Sequence, residues 1–333
     1  MLYTTDNDIK ESAGHASLGT GAIKTLREDI EAIELDLVNT YLGQAEYDKL
    51  EAALPSLEDG SKYHKLLKHV RRYVTAKSLW RGSSKINVQI DNSGISSSMS
   101  DTSKPVREWM LTDVKAQLLN DACEYLDMLL SFLENNKEVY TDWAGSTQYK
   151  WNKELLINSL ATFEKYYSLN GSHTTYRNLR ATMMYVDDVQ MQTLLGTAFY
   201  ASIKNEISTA VSAETNVILN NFIYRIASFY TIGRALKTMT VSLVNGGVKI
   251  TEYLAQMESG HNARQAEYKE RELLGKQLEE DACMLISDMR KYLNANASDT
   301  VYALWKDSDH YEDPNVAVEK IQVNLKSSGF FGM

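Results

Sequence analysis

In the first part of the chain, apolar residues recur every three or four positions. Ile30, Ile33, Leu37, Tyr41 and Leu42 mark one face of an amphipathic helix that starts near Ile23. Leu42-Gly43 interrupts it, and a second helix runs from Glu46 to Pro55. Leu66, Leu67, Val70, Val74 and Leu79 predict a further helix over Tyr63 to Trp80. The period then falls to two. Ile86, Val88 and Ile90 alternate with Asn87 and Gln89 before the turn residues Asp91-Asn92-Ser93-Gly94, the signature of a β-hairpin near 86–95. A long helix is expected from Lys104 to Asn135, its stripe made by Leu118, Ala122, Tyr125, Leu126, Leu129 and Leu133.

The same order of signals then returns. Gln117 to Cys123 (QLLNDAC) matches Gln277 to Cys283 (QLEEDAC), and Val139-Tyr140-x-x-Trp143 matches Val301-Tyr302-x-x-Trp305. Upstream, Leu26-Arg27 matches Leu179-Arg180, Leu42-Gly43 with Tyr47 matches Leu195-Gly196 with Tyr200, and Asn92-Ser93-Gly94-Ile95 matches Asn245-Gly246-Gly247-Val248. An ordered series of such pairs marks an internal duplication. The second copy has its own helix over Asn221 to Thr238 and a hairpin near 241–250, with Val241 and Leu243 before the turn and Val248 and Ile250 after it. Its long helix is expected from Glu252 to Leu293, with Leu274, Leu278, Ala282, Leu285, Met289 and Leu293 facing the core. One additional helix, Trp151 to Leu169, precedes the second copy, and Asn170-Gly171-Ser172 marks a hinge.

The fold class that follows is mainly α, with one β-hairpin per module. Residues 1–150 form a first module, 151–313 a second, and 314–333 an extended tail. In that tail Val316, Val318, Ile321, Val323 and Leu325 alternate after Asp313-Pro314, and Phe330 and Phe331 follow. An apolar alternating segment needs a sheet edge or a neighbour to dock on.

Composition narrows the function. A net charge of −9 argues against a reader of nucleic acid that grips phosphates, with Lys65, Lys68, Arg71 and Arg72 the best local basic patch. No run of apolar residues is long enough to span a membrane, and Met1 to Lys10 is polar and acidic, unlike a signal peptide. Twenty tyrosines against seven phenylalanines suit surfaces that become interfaces. Cys123 and Cys283 sit at the same place of the repeat and read as small buried helix residues rather than a disulfide pair.

Chemistry-bearing motifs are weak. Gly19-Thr20-Gly21-Ala22-Ile23-Lys24-Thr25 lacks the ending of a phosphate loop and has no strand before it. The six histidines form no zinc-helix pair, and His310-Tyr311-Glu312-Asp313 reads as a solvated loop. Asp187-Asp188 and Asp6-x-Asp8 read as acidic pairs without an apolar setting, and Ser96-Ser97-Ser98 has no base beside it. The expectation is no catalytic residue, no metal and no cofactor. Trp143 and Trp305, repeated in both modules, read as structural anchors.

Helices with one hairpin before a long helix, duplicated, with Leu-Gly-x-x-x-Tyr, an Asn-x-Gly hairpin and an aromatic tail, resemble the head–tail connector (adaptor) proteins of tailed phages. The duplicated form looks most like the neck ring proteins of phages of gut Bacteroidales, including the crAss-like phages. That resemblance implies a non-enzymatic virion protein, made in the cytoplasm of the host bacterium. It forms a homo-oligomeric ring, commonly of twelve subunits, between the portal and neighbouring neck or tail proteins. Double-stranded DNA passes through such a ring without sequence-specific binding, and no membrane is involved. By analogy Ile86, Val88, Ile90, Val241, Leu243, Val248 and Ile250 in the hairpins, with the tail residues Val316 to Phe331, are the interface candidates. The alternative is a non-viral tandem helical scaffold that binds protein in a groove.

Overall fold

The computed structural model describes residues 1–13, 22–86, 88–91, 94–97, 108–239, 241–244, 247–250 and 268–315. It opens with α1 (Asp6–Ala13) and α2 (Ala22–Leu37), the latter burying Leu26, Ile30, Ile33 and Leu37. A π-helical turn, Val38–Leu42, ends at Gly43, whose φ of 81° and ψ of 148° suit only glycine. A Cβ there would also come within 3.0 Å of Ser146 Cβ. Helix α3 (Gln44–Ala53) and a 3-10 turn through Pro55 lead into α4 (Lys62–Ile86).

Helix α4 carries its buried stripe of Leu66, Leu67, Val70, Val74 and Leu79 as the periodicity predicts, but it continues past Trp80 through Ile86. Ile86 therefore belongs to this helix and not to the alternating strand. Extending an existing helix adds a hydrogen bond for each residue fixed, and nothing before Ile86 breaks the ladder. Gly82 serves packing instead, since a Cβ there would lie 2.4 Å from Leu26 Cδ2, and the buried Leu26 side chain would have to shift. After it, β1 (Val88–Asp91) pairs antiparallel with β2 (Gly94–Ser97), Ile90 opposite Ile95. Helix α5 (Glu108–Asn135) returns along α4, burying Leu119, Ala122, Leu126, Leu129, Leu130 and Leu133. The short helices α6 (Thr141–Gly145) and α7 (Thr147–Lys150) close the first copy.

The expected helix over Trp151 to Leu169 is not continuous. A 3-10 turn, Trp151–Glu154, gives way to extended backbone at Leu155, and α8 (Leu160–Glu164) starts only after the N-cap Ser159. Burial is the reason: Leu155, Leu156 and Ile157 are all inside, and a helix would turn one of three successive residues outward. Asn170 and Gly171 take left-handed φ values of 55° and 68°. Ser172 then caps α9 (His173–Asn178), and the Glu164 carboxylate accepts from the Gly171 amide at 2.6 Å. The expected hinge is thus a tight, internally bonded turn.

Helix α10 (Arg180–Tyr185), the π turn Val186–Met191 and α11 (Gln192–Leu195) reach Gly196, with φ 77° and ψ 147°. Gly43 and Gly196 are 153 residues apart, as are β1 and β3 (Val241–Val244), and β2 and β4 (Gly247–Ile250). Helix α12 (Thr197–Ser208) corresponds to α3. The counterpart of α4 begins at Ala213, not Asn221. It is a rod of α13 (Ala213–Ile218), a π turn (Leu219–Ile223) and α14 (Tyr224–Thr238). A π turn absorbs one extra residue, which displaces the hydrophobic phase on which the later start rested.

Strand β3 pairs antiparallel with β4, Leu243 opposite Val248. Helix α15, described over Tyr268–Asn296, lies against α14 and buries Leu278, Ala282, Ile286, Met289 and Leu293. Cys283 is exposed and Cys123 half-buried, so neither is the inside residue expected of it. Both lie one position past the buried alanines Ala122 and Ala282, about 100° around the helix. Helix α16 (Ala303–Lys306) ends the described chain. Two hydrophobic cores result, one from residues between Leu2 and Tyr149, the other from residues between Leu155 and Trp305.

Candidate functional site

One of the buried carboxylates recurs at the same position in both copies. Glu34 on α2 and Asp187 in the Val186–Met191 turn lie 153 residues apart, 4 % and 3 % exposed. Glu34 accepts the Leu2 amide at 2.9 Å and the Tyr47 hydroxyl at 2.8 Å. Asp187 accepts the Leu156 amide at 2.7 Å, with Lys204 Nζ at 3.8 Å. Each carboxylate thus pins the extended segment that opens its own copy. Burial raises both pKa values against these hydrogen bonds, that of Asp187 to about 6.

The sequence read Asp187-Asp188 as an acidic pair without an apolar setting; the structure corrects this for Asp187, which is buried. Adjacent residues point about 100° apart on a helix, and only Asp187 faces inward. Its neighbours are a main-chain amide and a lysine, an arrangement suited to holding backbone in place.

Trp143 and Trp305 are 3 % and 0 % exposed. Trp143 donates from Nε1 to the Tyr41 carbonyl at 3.0 Å, and its own amide donates to Glu46 at 3.1 Å. Trp305 donates from Nε1 to Asn294 Oδ1 at 2.9 Å and packs among Phe199 and His310. The tyrosines three residues before them repeat a second tie. Tyr140 donates to the Lys62 carbonyl at 2.8 Å and Tyr302 to the Glu214 carbonyl at 2.7 Å, each joining the end of its copy to the start of the long central helix. Tyr3 and Tyr176 likewise donate to the Arg71 and Ile157 carbonyls. Many of the tyrosines expected at interfaces are therefore internal clamps, a role that composition alone does not reveal.

The two copies meet along a seam. The Thr174 amide and hydroxyl both donate to Asp127 on α5, at 2.7 and 2.8 Å. Arg177 lies over the Tyr41 ring, 4.7 Å from its centroid, and donates to the Thr40 carbonyl. Beside it, Glu134, Trp143, Tyr149, His173, Tyr176 and Arg177 line a cleft of about 20 Å³, room for a water and not for a small-molecule substrate. Among the described residues no group of three or more His, Cys, Asp or Glu could hold a metal ion, and no helix is long and apolar enough to cross a membrane.

Of the sequence-derived interface candidates, Val88 and Ile90 lie on β1, Val241 and Leu243 on β3, Val248 and Ile250 on β4, and Ile86 ends α4. The backbone of β4 runs beside α9 of the same chain. Val316, Val318, Ile321, Val323, Leu325, Phe330 and Phe331 fall outside the described residues.

A family model matches this chain twice, over residues 38–153 and 191–315. The starts of the two matches are 153 residues apart, the same spacing as the paired glycines. The chain belongs to that family, described as a family of unknown function (DUF6712), and carries its unit as a tandem duplication. No curated protein and no solved structure matches it.

Proposed function

We propose that this two-copy member of the family is a non-enzymatic structural protein of a phage virion. In this reading its copies form a head-to-tail connector (neck) ring that joins the portal to the tail and lines the DNA conduit. The observation that carries it is the repeated unit itself. In each copy two long helices, α4 with α5 and the α13–α14 rod with α15, pack side by side and are joined through an antiparallel strand pair. That is the organisation on which the resemblance to connector proteins rests. Each copy is tied internally by its carboxylate, tyrosine and tryptophan, which suits a rigid building block.

The strand pairs and the segment 316–333 are among the parts of this subunit that contact its neighbours in the ring, the portal above or the tail below. Light scattering on the purified chain, with negative-stain imaging, tests the reading. A closed ring of many subunits, formed by the chain alone or on added portal, is the expected result. A chain that stays at 37.7 kDa in both conditions would sink it.

A further inference from the structure

The duplication supplies an internal control for surface charge, because the two copies share a fold but not their exposed residues. Helix α4 holds eight Lys and Arg and no Asp or Glu, in a chain whose net charge is −9. Two of these cations are used within the fold. Arg71 pairs with Asp8 at 2.8 Å and Arg81 with the buried Asp29 at 3.1 Å. Lys65, Lys68 and Arg72 form no ion pair among the described residues. Spaced by three and four, they make one stripe along the helix. In the second copy the π turn at Leu219–Ile223 moves the offset from 152 before it to 153 after it, so Val217, an asparagine (Asn220 or Asn221) and Arg225 stand in their place, and the fold does not require a charge at the first two positions.

The opposite asymmetry occurs after the second tryptophan. Asp307, Asp309, Glu312 and Asp313 are exposed and make no ion pair among the described residues, whereas nearby Lys306 is paired with Asp299 at 2.6 Å. At the offset of 162 that relates Trp143 to Trp305, the first copy has Gly145, Thr147, Lys150 and Trp151. The first module thus carries an unpaired basic stripe where the second has none, and the second carries an unpaired acidic corner where the first has none.

We propose that the Lys65–Lys68–Arg72 stripe of one subunit docks on the Asp307–Asp313 corner of the next copy of this chain. This rests on the ring reading and names its subunit contact. Two different, complementary patches on one chain make a head-to-tail contact, the kind that generates rings when the rotation closes. Complementary charge sets register and speeds encounter. A duplex is the less favoured partner: three free cations neutralise few phosphates, and exposed carboxylates on the same chain repel them.

The test uses full-length chains in which one patch at a time is reversed. One variant carries Lys65→Glu, Lys68→Glu and Arg72→Glu; the other carries Asp309→Lys, Glu312→Lys and Asp313→Lys. All these residues lie at or near the surface, so circular dichroism should match the parent. Sedimentation at low salt should show the parent assembling and each variant alone weakened by roughly tenfold or more. An equimolar mixture of the two should assemble again, since each reversed patch then meets its complement. If both variants assemble like the parent, or the mixture of folded variants fails to recover, the contact is wrong while the ring reading stands. If the parent never assembles, alone or on portal, both fall. Should the first variant lose retention of duplex DNA with its assembly unchanged, the stripe is a nucleic-acid surface and the proposal is overturned.

Discussion

Glu34 and Asp187 occupy the same position in two copies of one module, and each spends a buried carboxylate oxygen on the amide that opens its own copy. The bonds are Glu34 to Leu2, at 2.9 Å, and Asp187 to Leu156, at 2.7 Å. A chain passing extended into a helical core has no ladder partner for that amide. A carboxylate accepts it strongly, and the module keeps this solution in both copies with different side chains.

Replacing Asp187 by alanine leaves the Leu156 amide buried without a partner. The expected loss is about 1–3 kcal/mol, read by urea denaturation at pH 7. Asp187→Asn retains an acceptor and should lose clearly less; equal losses for the two variants would show that the amide bond is not what matters.

Asp187 also gives a pH signature. Its folded pKa, about 6, lies above the ordinary value of 3.8, so the folded chain takes up the proton before the unfolded one. The resulting stabilisation is complete below the ordinary value and is lost as pH rises through about 6. The parent should therefore gain stability relative to Asp187→Asn on going from pH 7 to pH 4.5, by on the order of 1–3 kcal/mol. A difference that stays flat across that range would mean Asp187 titrates normally.

Gly43 and Gly196 should not tolerate a side chain. Both have φ near 80° with extended ψ, and a Cβ would meet Ser146 Cβ at 3.0 Å in the first copy and His310 Cδ2 at 3.3 Å in the second. Gly→Ala at either site is expected to cost about 1–3 kcal/mol or more from backbone strain. The loss should be larger at Gly43, whose neighbour is the stub of a short side chain. Thermal melts of the two variants decide the ranking.

Tyr140→Phe and Tyr302→Phe remove equivalent hydroxyls that donate to Lys62 and Glu214 carbonyls. Each should cost about 1 kcal/mol, and the similarity of the two losses is the point, since the ties repeat. A loss confined to one of them, measured by chemical denaturation, would argue that the copies are not equivalently built.

The thiols should separate. Cys283 is exposed on α15 and Cys123 half-buried on α5. Labelling of the unassembled chain with a thiol-specific reagent should modify Cys283 first, and mass spectrometry of the peptides identifies the site. Faster reaction at Cys123 would contradict the exposure of the two helices.

The helical character, the stripes that became the buried faces of α2, α4, α5 and α15, and the duplication with its paired Leu-Gly breaks were legible in the residue order. These are properties of spacing along one element, and spacing is written in the residue order. Phase and partnership, by contrast, were set by long-range packing. Whether Asp187 or Asp188 turns inward depends on a π turn that no periodicity announces. Whether a tyrosine meets a carbonyl in its own chain or a neighbour depends on residues up to 88 positions away, as for Tyr302 and Glu214. Leu155 to Ile157 lost their helix because a long-range core took all three side chains at once, a gain in burial that local propensity does not contain.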